Sequence, residues 1–197
     1  MKKEFKLRNN VLSHYYFLSF KEKSLTIEYP KRKIVIPYTE IRSFRFGVSW
    51  IKGYAFVIGR NYKIEIKYGD HMIITFKLIS LYKQRLEIQQ KIYSDILDTL
   101  LENIFPNRII SYLNDIKTGN TISIENLKLN KYGIFLQNHE LTPWSTINLK
   151  AYSTYLAIFN KQHGDIYRSF DYINDWDTLI IYNVCKNLID QTIIAEQ

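Results

Sequence analysis

The chain has 197 residues, with 27 Lys and Arg against 19 Asp and Glu for a formal net charge of +8, and this length allows one large domain or two compact ones around a substantial apolar core. Its 46% hydrophobic and 23% charged residues, with 7 Gly and 4 Pro, exclude a disordered, collagen-like or linker-rich chain. The single cysteine, Cys185, excludes an internal disulfide and a cysteine-built zinc site, and it fits a reduced compartment.

Met1-Lys2-Lys3-Glu4-Phe5-Lys6 has the positive flank of a signal peptide, but Ser13, His14 and Ser19 interrupt the apolar stretch from Val11 to Phe20, so no secretory leader is expected. No long uncharged apolar run follows, so no transmembrane helix is expected and the expected location is cytoplasmic. Period-two alternation then dominates. An opening strand is expected around Tyr15 to Phe20, and Ser24 to Tyr29 pairs with Lys33 to Ile36 across the basic turn Pro30-Lys31-Arg32. Ile41 to Trp50 alternates again. Turns at Lys52-Gly53, Gly59-Arg60-Asn61 and Gly69-Asp70 then separate Tyr54 to Ile58, Tyr62 to Tyr68 and Met72 to Leu78. The first half therefore reads as a meander of about seven strands.

The period changes at Ser80, an expected helix N-cap. From there to Ile104 the chain has no Gly or Pro, and Leu81, Ile88, Ile92, Ile96 and Leu100 recur near helical spacing. Pro106 is expected to end or restart the helix, with a short second helix carrying Ile109, Ile110, Leu113 and Ile116 and stopping at Gly119. Strands return at Ile122 to Leu129, Gly133 to Gln137, Leu141 to Leu149, Tyr155 to Asn160 and Ile166 to Phe170. A last helix is expected to begin at Asn174, with Asp175 and Asp177 in its first turn and Leu179, Ile180, Val184, Leu188 and Ile189 on its apolar face.

Residues 1–104 and 105–197 thus form two candidate domains, each of antiparallel strands followed by a helix, the second preceded by the short helix. Residues 1–104 hold 19 basic and 10 acidic side chains, whereas residues 105–197 hold 8 and 9. A face of one sign attracts an anionic partner over about a Debye length. The candidate ligand-binding residues for that partner are Lys31, Arg32, Lys33, Arg42, Arg45 and Arg60. The same charges also suit lysines that merely solvate exposed strand faces.

An internal echo links the halves. Ile36-Pro37-Tyr38-Thr39-Glu40-Ile41 and Thr142-Pro143-Trp144-Ser145-Thr146-Ile147 share proline, aromatic, hydroxyl residue, any residue and isoleucine. Proline bends or ends a strand, the aromatic packs under the corner, and the hydroxyl bonds locally to backbone. Tyr132-Gly133-Ile134, the Pro143–Ile147 corner, Leu156-Ala157-Ile158 and the helix begun at Asn174 are together similar to bacterial pleckstrin-homology-like domains. The resemblance implies an α+β fold, an antiparallel barrel or sandwich capped by a C-terminal helix, with the plan repeated in the second half. There about five strands are expected where the family has seven. It also implies a binding or scaffolding module without catalysis or cofactor. In lipid-binding members, basic residues near the first hairpin hold an inositol phosphate, and Lys31, Arg32 and Lys33 stand at the corresponding hairpin tip.

Motifs for chemistry are absent from the sequence. His14, His71, His139 and His163 have no metal-ligand spacing. Cys185 sits in an apolar helix, Asp95 and Asp98 suit a solvated helix face, and no phosphate-cradling glycine loop or nucleophile elbow occurs. Arg42, Phe44 and Phe46 on one strand face, Arg45 on the other, and Tyr54, Phe56 and Tyr62 on neighbouring strands interleave charge and rings as single-strand nucleic-acid binders do. Aromatics that fill a small barrel give the same pattern. The expected function is therefore a non-catalytic module that recognises a protein partner or an anionic membrane surface through its basic half. The alternatives are a small regulator such as a toxin-immunity protein and single-stranded nucleic-acid binding.

Overall fold

The computed structural model describes residues 3–8, 14–81, 85–136 and 140–195. The chain divides into two compact units, Met1–Ile104 and Phe105–Gln197. It is an α+β protein whose strands are all antiparallel within their sheets.

In the first unit β1 (Lys3–Leu7), β2 (Tyr16–Phe20), β3 (Ser24–Tyr29) and β4 (Arg32–Pro37) form a four-stranded meander. A single 3-10 turn, Tyr38–Glu40, leads into β5 (Ile41–Lys52), β6 (Val57–Tyr68) and β7 (Met72–Leu81), a three-stranded meander, and then α1 (Leu86–Lys117) follows, its residues from Phe105 onward belonging to the second unit. Alternation sends Leu18, Phe20, Leu25, Ile27 and Ile36 inward from one sheet and Phe44, Tyr62, Ile64, Ile66 and Phe76 inward from the other. Tyr16 of β2 stacks on Phe76 of β7 at 6.5 Å, and Tyr93 of α1 lies 5.1 Å from the Tyr62 ring. Tyr93, Ile96, Leu100 and Ile104 are the buried stripe of α1.

The second unit repeats this element order. Its strands β8 (Ile122–Ile124), β9 (Leu127–Leu129), β10 (Gly133–Phe135) and β11 (Leu141–Pro143) form a four-stranded sheet. A 3-10 turn, Trp144–Thr146, precedes the three-stranded sheet β12 (Ile147–Ala151), β13 (Tyr155–Asn160) and β14 (Tyr167–Asp171), and α2 (Thr178–Ala195) packs on that turn, β12 and β13. The two corners are built alike. Each starts at a proline with extended ψ, Pro37 or Pro143, and ends at an extended isoleucine, Ile41 or Ile147. The aromatic after each proline donates to a backbone carbonyl: Tyr38 Oη to Lys21 O at 2.8 Å, and Trp144 Nε1 to Asn130 O at 2.9 Å.

Several expectations change. The strands pair in separate sheets, and no closed barrel forms among the described residues. Among the described residues of the first unit seven strands occur, but with different members. Lys3–Leu7, whose charges suggested a leader flank, pairs with β2. The expected turn at Gly59-Arg60-Asn61 is continuous β6. Gly59 serves there for closeness rather than for turning, because a Cβ on it would lie 2.2 Å from Ser80 O. Ser80 is not a cap but a buried β7 residue paired with Arg60. Pro106 lies inside an unbroken α1. It and Glu102 are both exposed, so the carbonyl that loses its amide partner faces water.

Gly119, at φ +94°, follows the end of α1 as expected. The described residues of the second unit form seven strands rather than five. Glu125, at φ 52°, turns the chain within Ile122 to Leu129, and the Pro143 corner splits Leu141 to Leu149 between two sheets. The end of the strand expected to Gln137 lies outside the described residues. The α2 helix starts after the expected Asn174. Asp171 Oδ1 accepts from the Ile173 and Asn174 amides, and Asp175 Oδ2 accepts from the Asp171 amide, so these acids organise the loop rather than the first turn. Asp177, at φ 56°, instead receives Arg108 of α1 through both carboxylate oxygens at 3.3 and 3.0 Å.

Two substitutions test the second unit. Arg108→Ala removes the two-point partner of the almost fully buried Asp177 carboxylate and is expected to cost about 3 to 5 kcal/mol. Gly133→Ala places a Cβ 2.2 Å from Thr142 O and is expected to cost about 1 to 3 kcal/mol. Urea unfolding followed through Trp144 and Trp176 fluorescence measures both; a midpoint unchanged by either would contradict that account.

Candidate functional site

The six cations expected to meet an anionic partner do not share one face. Lys31 lies in the exposed β3–β4 turn and Arg32 opens β4, its guanidinium 4.7 Å from the Tyr29 ring. Lys33 faces its cross-strand neighbour Glu28, with Nζ 3.3 Å from Oε2. Arg42 reaches exposed Asp70 at 3.4 Å, a solvated pair of little energetic weight. A bulge between Ile41 and Ser43 removes Arg42 from the expected file with Phe44 and Phe46. Arg45 and Arg60 lie on opposite faces of the β5–β6–β7 sheet, as the register with β6 shows.

The register instead assembles a basic outer face around Arg45. Its rows read Ser43, Lys67, Ile73; Arg45, Glu65, Thr75; and Gly47, Lys63, Lys77. Glu65 is the one acid in these rows and is 7% exposed. Its Oε2 accepts from Arg45 Nε at 2.6 Å and lies 2.8 Å from Lys63 Nζ, while Thr75 Oγ1 donates to Oε1 at 3.0 Å. One carboxylate thus ties β5, β6 and β7 together. Lys63 and Lys77 stand directly opposite each other, an arrangement that repels unless anions offset it. Lys63, Lys67 and Lys77 were not singled out from the sequence. The first two were visible in the alternation of Tyr62 to Tyr68, but the β6–β7 register that brings Lys77 to them is a long-range fact.

Burial alone would raise the Glu65 carboxyl, but hydrogen bonds from Lys63, Arg45 and Thr75, with the Arg45 charge, outweigh it and hold the group below the usual carboxylate range. A depressed carboxyl stabilises the fold above its unfolded value, about 4.3, and that stabilisation is lost as pH falls through the folded value.

The chemistry-bearing groups lie apart. Cys185 is fully buried, and burial pushes its thiol up to about 12, which keeps it protonated at neutral pH. His14, His71 and His163 are exposed, and His139 lies outside the described residues. Among the described residues no group of His, Cys, Asp and Glu is placed to hold a metal ion, and no helix is long and apolar enough to cross a membrane. Of the rings considered for base stacking, Phe44 and Tyr62 are buried against Phe46 and Tyr93, whereas Tyr54 and Phe56 are exposed at the β5–β6 hairpin. No family profile, curated protein or solved structure matches this chain.

Glu65→Gln is expected to lower stability at neutral pH by on the order of 1 to 3 kcal/mol, since it removes the charge that satisfies Arg45 and Lys63. Urea unfolding across a pH series, followed through Trp50, should show the gap from wild type closing below the ordinary carboxylate range. A gap that persists unchanged at acid pH would contradict the charge account.

Proposed function

We propose that this chain is a non-catalytic binding module of pleckstrin-homology-like type, with the plan repeated in both units, and that the first unit recognises an anionic surface on a protein partner or a membrane leaflet. Supporting the family reading is the shared order of four-stranded sheet, proline corner, three-stranded sheet and helix in each unit. The corner aromatic donating to backbone in both units adds to it.

The observation that carries the functional reading is the outer face of β5–β6–β7. Arg45, Lys63, Lys67 and Lys77 gather there around one carboxylate. That carboxylate is already saturated by Arg45, Lys63 and Thr75, which leaves the face with a surplus of positive charge. The location proposed for such a module is the cytoplasm, where the inner leaflet and acidic proteins both offer anionic surface.

Co-sedimentation with anionic and neutral vesicles tests the membrane form. Binding is expected to anionic vesicles at low salt and to weaken as salt screens the face. Each surface lysine contributes about 1 kcal/mol near an anionic leaflet. Lys63→Glu combined with Lys77→Glu should therefore weaken binding by at least about tenfold. Failure with both vesicle types would sink the membrane form and leave acidic protein partners.

A further inference from the structure

The inner face of the β5–β6–β7 sheet is apolar along most of its length and then changes character. Inward positions run Phe44, Phe46, Val48 and Trp50 on β5, Ile66, Ile64, Tyr62 and Arg60 on β6, and Ile74, Phe76, Leu78 and Ser80 on β7. Alternation that buries three apolar residues of β6 therefore delivers a guanidinium to the fourth inward position. Trp50, Arg60 and Ser80 form the last row, and with Val57, Ile58, Gly59 and Leu86 at the start of α1 they line a cleft of about 460 Å³. That volume falls within the usual range for small-molecule sites, about 300 to 1,000 Å³.

Arg60 is the one charged side chain among the described residues of this lining. Among the described residues its partners are the Trp50 ring, whose centroid is 4.6 Å from the guanidinium carbon, and the amide oxygen of exposed Gln90 at 3.5 Å. Among the described residues no carboxylate lines the cleft. A guanidinium stacked on an indole keeps its in-plane N–H groups available to an anion. The apolar wall continues outward as a lip: Trp50, Tyr54, Phe56 and Val57 are all more than half exposed. Apolar surface of this extent around the Arg60 cation complements a ligand that is itself divided into a greasy body and an anionic head.

We propose that this cleft binds an anionic amphiphile, an aliphatic chain ending in a carboxylate or phosphate. The chain lies against Val57, Ile58 and Leu86, and the head meets Arg60 beside Trp50. The site is separate from the basic outer face, because strand parity puts Arg60 and Lys63 on opposite sides of the sheet. Its failure and the failure of outer-face recognition are therefore independent.

Trp50 supplies the probe, because it lines the cleft itself. The full chain is titrated with laurate, dodecyl phosphate and uncharged dodecanol below their micelle concentrations, and with a brominated fatty acid that quenches nearby indole. Saturable binding of the two anions, at least about tenfold tighter than dodecanol, is expected from the charge-assisted bonds to Arg60. Bromine quenching should disappear in Trp50→Phe. Arg60→Gln should weaken laurate by at least about tenfold while Lys31→Glu, in the exposed β3–β4 turn, leaves it unchanged. Equal affinity for dodecanol, which is read on the unaltered chain, or quenching that survives Trp50→Phe overturns the proposal. A parallel titration with vesicles carrying brominated anionic lipid separates the sources. Quenching by the monomeric acid assigns a free amphiphile, quenching by vesicles alone assigns a membrane lipid, and quenching by neither overturns the site.

Discussion

The first unit depends on β6 keeping its two-residue alternation through the middle of a three-stranded sheet. One backbone carries Tyr62, Ile64 and Ile66 to the core and Lys63, Glu65 and Lys67 to the outside. A slip of one residue would exchange the two sets and bury three charges. Two local devices oppose that slip. Gly59 allows the β7 backbone to approach where any side chain would collide with Ser80 O. Glu65 accepts from Arg45 on β5 and Thr75 on β7, so the outer face has its own electrostatic lock across all three strands. The charged face and the apolar core are consequences of one register, as is the placement of Arg60 at the inner cleft.

The second unit answers the same geometric problem with less charge. Its strands are shorter, and the equivalent closeness is found at Gly133, where Thr142 O occupies the space a Cβ would need. The ordering polar contacts are Trp144 on the Asn130 carbonyl and the Arg108–Asp177 pair, both turned inward. Such buried pairing fixes geometry more than it adds stability. It also spends the polar groups internally, whereas the first unit leaves lysines on an open sheet face. The nearly neutral composition of residues 105–197 matches that difference.

Local sequence made some features easy to read and disguised others. Strands at Ser24–Tyr29 and Tyr155–Asn160 announce themselves through alternation of apolar and polar residues, and Pro37 and Pro143 mark real corners because proline cannot donate to a ladder. Glycine and proline misled where their cause was tertiary. Gly59 answers to a neighbouring strand and not to a turn, and Pro106 is tolerated because its side of α1 faces water. Lys3–Leu7 gave no clear strand signal because its short alternation is dominated by lysines, and only pairing with β2 makes it a strand. Glu125 and Asp177 adopt left-handed backbone without glycine, which no local pattern signals.

By itself the sequence determined the α+β class, the strand-then-helix order of each half and the concentration of positive charge before residue 105, because periodicity and charge count are properties of the chain alone. Which cations stand together was decided by tertiary structure. Lys77 reaches Lys63 through the β6–β7 register, Arg42 leaves its file through a bulge, and Arg60 turns inward to Trp50. The physical reason is that a strand's own alternation fixes only which residues share a side; the choice of neighbours across the ladder is made by packing and backbone approach between segments distant in sequence.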